Sequence, residues 1–232
     1  MDKKNIKAIF FDLDRTLWDF EKNSNQALSI ILKEAELDKR LDVNKWLYVY
    51  QHLNQLYWEA YRKEFIDQET LRYIRFNAAF SYFGIKDETL AKHFAKRYVE
   101  LSPKQSNLYP NCIDTLSKLK EKYPLYIITN GFHDVQEIKM ASSGLSPFFE
   151  MLVSSDSVKV KKPNPKIFHY TKGRAKLKDA WHALYIGDDL KADMYGAKNA
   201  GLQSLHFSPH RPSSWEFSVS DLAEIPKLLG VE

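Results

Sequence analysis

Short, continuous apolar runs recur along the chain, and most of them end at glycine, aspartate or asparagine. The runs are KAIFFDLD (7–14), PLYIITNG (124–131), EMLVSSD (150–156), HALYIGDD (182–189) and LQSLHF (202–207). Continuous apolar runs of this length, as opposed to alternating ones, are typical of strands that are covered on both faces. We therefore predict five buried strands.

Helix-like segments separate these runs along most of the chain. They cover residues 111–122, 133–143, 164–177 and 191–200, and Gly201 closes the last of them as a helix C-cap. Strands that alternate with helices form parallel sheets with helices on both faces. The pattern predicts an α/β fold with a doubly wound parallel sheet.

The alternation is interrupted after the first run, where only helix-period stretches occur up to residue 105. We predict a helical domain at 18–105, inserted into a core domain formed by 1–17 and 106–232. A stripe of large apolar side chains at helical spacing is expected to form the core of the insertion and not a ligand cage. The stripe comprises Trp46, Tyr50, Leu53, Tyr57 and Tyr61.

Composition and charge exclude several classes of protein. The 232 residues are 44% hydrophobic and 28% charged, which is enough apolar material for a buried core. Basic and acidic residues are interleaved, so the net charge of +4 does not indicate a nucleic-acid partner. Cys112 is the only cysteine, which excludes an intramolecular disulfide.

The apolar stretches also argue against export and membrane insertion. The first one is interrupted at Asp12 after four residues, which is too short for a signal peptide. No run approaches the roughly 18 apolar residues of a membrane span. We expect a cytoplasmic protein without a membrane partner.

Polar side chains follow the apolar runs at the points where the predicted strands end. They are Asp12 and Asp14 after the first run, Thr129 and Asn130 after the second, Asp188 and Asp189 after the fourth, and Lys162 in the loop 159–168. Doubly wound sheets bind ligands at the carboxyl ends of their strands. We therefore expect these side chains to form one pocket.

Acids in such a pocket require a counter-charge. Two carboxylates about 4 Å apart repel by roughly 4 kcal/mol at an effective dielectric constant of about 20. Oxygen ligands without a cysteine or histidine cluster favour a hard cation, and a site left open for a phosphate favours Mg²⁺ over Ca²⁺. The sequence predicts Mg²⁺ between the Asp12 and Asp14 pair and the later acids.

The same residues resemble the four ordered motifs of the haloacid dehalogenase superfamily. DLDRT (12–16) is similar to its DxDxT motif, ITN (128–130) to its threonine motif, KKPNP (161–165) to its lysine motif and GDDLKAD (187–193) to its acidic motif. The resemblance implies a Rossmann-like core and a small α-helical cap. TNGFHDVQEIK (129–139), with Gln136 and Lys139, resembles the branch of pyrimidine 5′-nucleotidases and sugar-phosphate phosphatases.

The resemblance also implies a role for each matching residue. Asp12 attacks phosphorus to form an aspartyl-phosphate, while Asp14 protonates the leaving oxygen and then deprotonates water. The implied metal ligands are the Asp12 carboxylate, the backbone carbonyl of Asp14 and Asp188. The implied ligands of the phosphate oxygens are Thr129, the backbone amide of Asn130 and Lys162.

Alternatives stay open for several neighbours of these residues. Asp189 is a candidate second metal ligand, while Asp193 is a candidate ligand or orients the first turn of its helix. Thr16 either hydrogen-bonds within its loop or touches the substrate.

The loop 159–168 also leaves open which of two adjacent lysines reaches the predicted pocket. Lys161 is the alternative to Lys162, although the position directly before Pro163 favours Lys162.

The histidines show no metal-ligand spacing. Among them His133, close behind the threonine motif, is the candidate to face the pocket.

The predicted function is Mg²⁺-dependent hydrolysis of a small phosphomonoester, with nucleoside 5′-monophosphates, pyrimidine ones first, as substrates. The alternatives are a sugar-phosphate or phosphoglycolate phosphatase, a phosphohexomutase, a haloacid dehalogenase and a receiver-like signalling domain. Asp14 argues against a dehalogenase, which has no use for an acid at that position. A receiver domain has adjacent acids, whereas Asp12 and Asp14 are two residues apart.

Overall fold

The computed structural model describes residues 1–231, and the chain divides into two compact units. One unit combines Met1–Phe20 with Ser106–Glu232, and the other spans Glu21–Gln105. The sequence predicts the first boundary between the two units after residue 17. Residue 232, the last of the predicted core domain, lies outside the described residues.

The first unit is built on a parallel sheet. Within the described residues its strands are β1 (Ala8–Phe11), β2 (Leu125–Thr129), β3 (Met151–Ser154), β4 (Ala183–Gly187), β5 (Gln203–Phe207) and β6 (Ser218–Val219). They pair in the order β3-β2-β1-β4-β5-β6, and every pair is parallel. The predicted α/β fold with a doubly wound parallel sheet is confirmed. The pattern misses β6, because two residues are too few to form an apolar run.

Helices follow most of the strands and form the whole of the second unit. In the described residues the α-helices are α1 (Phe20–Glu34), α2 (Val43–Arg62), α3 (Gln68–Tyr82), α4 (Glu88–Leu101), α5 (Cys112–Lys120), α6 (His133–Ser142), α7 (Ser155–Val158), α8 (Pro165–Arg174), α9 (Gly196–Asn199) and α10 (Glu224–Leu229). A π-helix spans Leu190–Tyr195, and 3₁₀-helices span Lys3–Asn5, Leu37–Lys39, Ser102–Lys104, Ser146–Phe148 and Ala180–His182. No helix within residues 1–231 is both long and apolar enough to cross a membrane.

The sheet is buried on both faces, which explains why its strands read as continuous apolar runs. Successive side chains point to opposite faces, so Ile9 and Phe11 belong to one apolar cluster while Ala8 and Phe10 belong to another. The acids Asp12 and Asp188 follow directly after β1 and β4, where the apolar packing of the strands ends.

β1 lies at the centre of the sheet's carboxyl edge. Phe11, its last residue, pairs with Ile127 of β2 and with Ile186 of β4. The backbone N–H of Asp12 donates to the carbonyl of Ile186 at 2.9 Å. The residues that follow β1 consequently lie between those that follow β2 and those that follow β4.

Aspartate caps begin three of the helices in the second unit. Asp42, Asp67 and Asp87 precede α2, α3 and α4, and each accepts a hydrogen bond from the backbone N–H three residues later. This bond satisfies one of the N–H groups that the first turn of a helix leaves without a partner. The caps set where these three helices start.

The predicted aromatic stripe lies on α2 and supplies the centre of the second unit's own core. Trp46 and Tyr50 are fully buried and stack with their ring centroids 5.4 Å apart. Tyr61 is also buried, whereas Leu53 and Tyr57 are half-buried. The stacked rings serve packing within the unit, as the helical spacing predicts.

We expect Ile127→Ala to lower the free energy of unfolding by about 2–5 kcal/mol, because it leaves a cavity beside a fully buried strand. The matched control Ile113→Ala removes the same atoms from a side chain of α5 that is 40% exposed, and should cost less than about 1 kcal/mol. Urea denaturation followed by circular dichroism measures both losses. Equal losses would contradict the assigned core.

Candidate active site

The chain leaves β1 through a tight turn that presents two acids at the carboxyl edge of the sheet. The backbone N–H groups of Leu17 and Trp18 both donate to the carbonyl of Leu13, at 3.0 and 2.9 Å. These three apolar side chains are buried. The turn is anchored by its apolar members, which leaves the carboxylates of Asp12 and Asp14 for polar contacts.

The buried ammonium group of Lys162 binds the first of these acids. Its Nζ donates to Asp12 Oδ1 at 2.6 Å, to Asp193 Oδ1 at 2.7 Å and to the hydroxyl of Tyr185 at 2.7 Å. An ammonium group has three donors, and all three are used here. Lys162 is therefore a fixed positive charge, and it occupies this position rather than its neighbour Lys161.

The charges in this cluster do not balance. Burial raises the pKa of Asp12 to about 7, although the nearby Lys162 opposes the shift. Burial, together with Asp12 and Asp193, raises the pKa of Asp188 well above its ordinary value. Burial disfavours the charge of Lys162, but Asp12 and Asp193 outweigh it and raise the pKa of the ammonium group. If Asp12, Asp188 and Asp193 were all ionised, they would carry more negative charge than one lysine neutralises.

Three of the acids converge on one point. Asp12, Asp188 and Asp193 each place a carboxylate oxygen within 4.8 Å of the others. Asp12 and Asp193 are buried, whereas Asp188 is partly exposed. The carboxylates of Asp14 and Asp189 are not members of this group. A set of carboxylate oxygens without nitrogen or sulfur suits a hard divalent cation.

The π-helix that follows β4 brings Asp193 into the cluster. Asp189 caps this helix, since its carboxylate accepts from the N–H groups of Lys191 and Ala192 at 2.8 and 2.9 Å. The N–H of Asp189 in turn donates to Asp193 Oδ2 at 3.1 Å. A Cβ at Gly187 would lie 2.3 Å from Asp193 Oδ2, so the close approach requires glycine. The continuous helix predicted over 191–200 is instead a π-helix followed by α9.

Thr129, the last residue of β2, and Asn130, which follows it, lie where the sheet meets the loop that carries Lys162. The side chain of Asn130 donates to the carbonyl of Lys162 at 3.0 Å and accepts from its N–H at 2.7 Å. Thr129 Oγ1 accepts from the N–H of Gly131 at 3.0 Å and from Gln136 Nε2 at 2.7 Å. The structure thus connects the predicted residues Thr129, Asn130 and Lys162 through the end of one strand.

Two buried residues of α6 hold the carboxylate of Asp14. Lys139 Nζ lies 2.5 Å from Asp14 Oδ1, and Gln136 Nε2 lies 2.9 Å from Asp14 Oδ2. Lys139 Nζ also lies 4.3 Å from the ring centroid of Trp18. The family resemblance singles out Gln136 and Lys139 but assigns them no contact. Their spacing of three residues, which places them on one face of a helix, is the signal that they could share one.

The structure gives the contacts of Thr16 and His133, two residues for which the sequence leaves alternatives open. Thr16 Oγ1 lies 3.5 Å from Asp12 Oδ2, a contact within its own loop. The ring of His133 lies 3.3 Å from Ser154 Oγ and 3.3 Å from the carboxylate of Glu137. His133 is therefore engaged by β3 and by its own helix instead of by the acids.

Tyr185 and His206 contribute to the site without any signal in the sequence. The Tyr185 hydroxyl, besides binding Lys162, lies 3.0 Å from Asp193 Oδ1. His206 Nε2 lies 2.8 Å from the backbone carbonyl of Asp188. Both residues sit inside apolar strands, where the pattern shows burial but not which polar group a side chain meets.

Comparison with known proteins identifies relatives over nearly the whole chain. The model of the haloacid dehalogenase-like hydrolase family matches residues 9–207. A pyrimidine 5′-nucleotidase of Streptococcus pneumoniae is 33% identical over 231 residues, covering 94% of this chain and 94% of its own length. A glyceraldehyde 3-phosphate phosphatase of Methanothermobacter thermautotrophicus is 30% identical over 205 residues, covering 86% and 84%.

A solved structure shows the same fold. The haloacid dehalogenase-type hydrolase YfnB of Bacillus subtilis, solved bound to magnesium, superimposes with a TM-score of 0.88 at 26% identity and covers 97% of this chain and 99% of its own. The sequence prediction of a hydrolase with phosphatase and nucleotidase relatives is confirmed. With ordered motifs, a matching sheet and relatives along its length, the chain belongs to the haloacid dehalogenase-like hydrolase family.

Proposed function

We propose that this protein hydrolyses small phosphomonoesters with the help of Mg²⁺, through a covalent intermediate on Asp12. The observation that carries the proposal is the convergence of Asp12, Asp188 and Asp193 around Lys162 at the carboxyl edge of the sheet. The phosphatase and nucleotidase relatives support the same reaction class.

The donor set fits Mg²⁺. Both oxygens of Asp193 already accept hydrogen bonds, Oδ1 from Lys162 and Oδ2 from the N–H of Asp189. We therefore assign the metal to Asp12 and Asp188, with the backbone carbonyl of Asp14 as the ligand that the family resemblance implies. Asp193 positions Lys162. Bound Mg²⁺ would neutralise the excess negative charge and polarise the phosphate.

Asp12 is the nucleophile in this proposal. Its Oδ1 accepts from the ammonium of Lys162, while Oδ2 lies 3.5 Å from Thr16 Oγ1. In this proposal Oδ1 stays with Lys162 and Oδ2 attacks phosphorus. Lys162 then lies beside the oxygens that gain negative charge as the phosphoryl group is transferred.

Asp14 and Thr129 supply the remaining chemistry. Asp14 protonates the leaving oxygen and later takes a proton from the water that hydrolyses the aspartyl-phosphate. Thr129 and the backbone amide of Asn130 bind phosphate oxygens. The acid at position 14 distinguishes this reaction from carbon–halogen hydrolysis, which has no leaving oxygen to protonate.

Nucleoside 5′-monophosphates, pyrimidine ones first, are the proposed substrates, and the helical unit is the proposed cap domain. The preference rests on the S. pneumoniae relative, named a pyrimidine 5′-nucleotidase. The fully buried rings of Trp46 and Tyr50 give it no support, because they are used inside the core of the helical unit. The M. thermautotrophicus relative favours a sugar-phosphate phosphatase as the second candidate.

Asp12→Asn should reduce the hydrolysis of p-nitrophenyl phosphate by about 10³-fold or more, because the amide keeps the shape of the carboxylate but is not a nucleophile. Asp114→Asn, at an exposed position of α5, is the matched control and should retain wild-type activity. Steady-state kinetics with Mg²⁺ measure both variants. Wild-type turnover by Asp12→Asn would contradict the covalent mechanism.

The raised pKa of Asp188 predicts how pH changes the stability of the metal-free protein. The folded chain binds more protons than the unfolded chain as the pH rises above the ordinary pKa of an aspartate, so stability is lost over this range. In EDTA, wild-type Tm should fall as the pH rises above about 4, the ordinary pKa of an aspartate, and Asp188→Asn should reduce this fall.

Mg²⁺ should reverse the effect in the wild type and in Asp114→Asn, but not in Asp188→Asn. Each kcal/mol gained corresponds to about 2–4 °C in Tm for a chain of this size. Differential scanning fluorimetry measures the Tm shifts of the wild type, Asp188→Asn and Asp114→Asn, each with Mg²⁺ or EDTA. EDTA should also abolish the turnover of the wild type. Equal Mg²⁺ stabilisation of the wild type and Asp188→Asn would rule out this metal site.

A substrate panel tests the nucleotide preference. We expect kcat/KM for UMP or dUMP to exceed the values for glyceraldehyde 3-phosphate, phosphoglycolate and glucose 6-phosphate, measured by phosphate release with Mg²⁺. Asp12→Asn purified in the same way controls for contaminating phosphatases. The reverse order would keep the phosphatase assignment and replace the nucleotidase by a sugar-phosphate phosphatase.

A further inference from the structure

Gln136 connects two residues of the proposed site that belong to different strands. Its Nε2 lies 2.7 Å from Thr129 Oγ1, at the end of β2, and 2.9 Å from Asp14 Oδ2, beyond the end of β1. The side chain is fully buried. Its Oε1 has no hydrogen-bond partner in the described part of the chain. Gln136 is thus held by its donor end.

The chemistry of the neighbours fixes which end of the amide faces them. In this structure Asp14 is ion-paired with Lys139 through Oδ1, and its Oδ2 accepts from Gln136 Nε2 at 2.9 Å. The opposite orientation of the amide would place Oε1 against the carboxylate oxygen. The two hydrogens of Nε2 are therefore directed to Asp14 and to Thr129.

This orientation determines what the hydroxyl of Thr129 can do. A hydroxyl has two acceptor positions and one donor. Both acceptor positions of Thr129 Oγ1 are occupied, by the N–H of Gly131 at 3.0 Å and by Gln136 Nε2 at 2.7 Å. Its single O–H is consequently left to be donated, as a phosphate oxygen requires.

The backbone makes room for this amide. A Cβ at Gly131 would lie 2.1 Å from Gln136 Nε2 and 2.6 Å from its Cδ. Any larger residue at position 131 would displace the buried side chain of Gln136. The glycine of the TNG segment and the glutamine five residues later form one steric unit.

Lys139 completes the arrangement from the same face of α6. Its Nζ binds Asp14 Oδ1, the oxygen that Gln136 does not contact. Both oxygens of Asp14 are thereby held by one helix, and the same helix donates a hydrogen bond to Thr129 Oγ1. α6 thus links Asp14, the predicted general acid and base, to Thr129, a predicted phosphate ligand.

We propose that Gln136 is a positioning residue that orients the Thr129 hydroxyl as a donor to the phosphate and holds Asp14 beside it. This inference rests on the proposed phosphomonoesterase function. Gln136 acts through Thr129 and Asp14 and is not itself a catalytic residue.

Gln136→Met tests the inference, because methionine keeps the length of the side chain but donates no hydrogen bond. The inhibition constant of inorganic phosphate should rise about 10-fold, as expected for one lost charge-assisted hydrogen bond. Glu137→Met, on the exposed side of α6, is the control and should leave both inhibition and turnover unchanged. Wild-type phosphate inhibition of Gln136→Met would overturn the proposal.

A double-mutant cycle separates positioning from general destabilisation. If Gln136 acts through Thr129, Gln136→Met should weaken phosphate binding much less in a Thr129→Val background than in the wild type. Additive losses would mean that Gln136 does not act through Thr129, and would overturn the proposal.

The contact with Asp14 predicts a dependence on the leaving group. Nitrophenolate departs without a proton, whereas an alkoxide needs one. Gln136→Met should therefore lower kcat about 10- to 100-fold for the alkyl phosphomonoester that the wild type hydrolyses fastest, and less for p-nitrophenyl phosphate. Equal losses for the two substrates would contradict the link to Asp14.

Gly131→Ala provides a second variant that leaves Gln136 in the sequence but displaces it. It should reproduce the weakened phosphate binding and the leaving-group dependence of Gln136→Met, with wild-type circular dichroism. A Gly131→Ala enzyme with wild-type kinetics would overturn the proposal. Failure of the proposed function would be distinct, since the wild-type enzyme itself would then not hydrolyse p-nitrophenyl phosphate with Mg²⁺.

Discussion

The ion pair between Lys162 and Asp12 is the interaction on which the site depends. Its 2.6 Å contact joins the loop before α8 to the turn after β1, and Asp193 and Tyr185 extend it to β4 and the π-helix. Removing one partner of a buried pair typically costs about 3–5 kcal/mol, because the other charge is left uncompensated. The same ammonium group therefore anchors the fold locally and, in the proposed function, lies beside the phosphoryl group.

The parallel sheet concentrates this charge. Both of its faces are packed against apolar clusters, the predicted acids follow the strand ends, and β1 lies between β2 and β4. Asp12 and Asp188 come together without a lysine for each, which is unfavourable in the absence of a metal. Charged groups gathered at a cost in stability are a common feature of functional sites.

Close approach is achieved by glycine and by an irregular helix. Gly187 admits the carboxylate of Asp193, and Gly131 admits the amide of Gln136. The π-helix carries Asp193 to Lys162, whereas a regular helix was expected there. π-helical turns are rare in proteins as a whole, and a large share of those that occur lie at functional sites. Packing in this region favours the geometry of the site over the regularity of the helix.

The sequence by itself determined the sheet, because strands buried on both faces must be continuous apolar runs, and it determined which strand ends carry acids. Only the tertiary structure decided how the side chains pair: Asp193 binds Lys162 while Asp189 caps the π-helix, and Tyr185 and Gln136 complete the network. Periodicity reports burial and the face of an element. It does not report which residues, distant in sequence, place their polar atoms within hydrogen-bond distance.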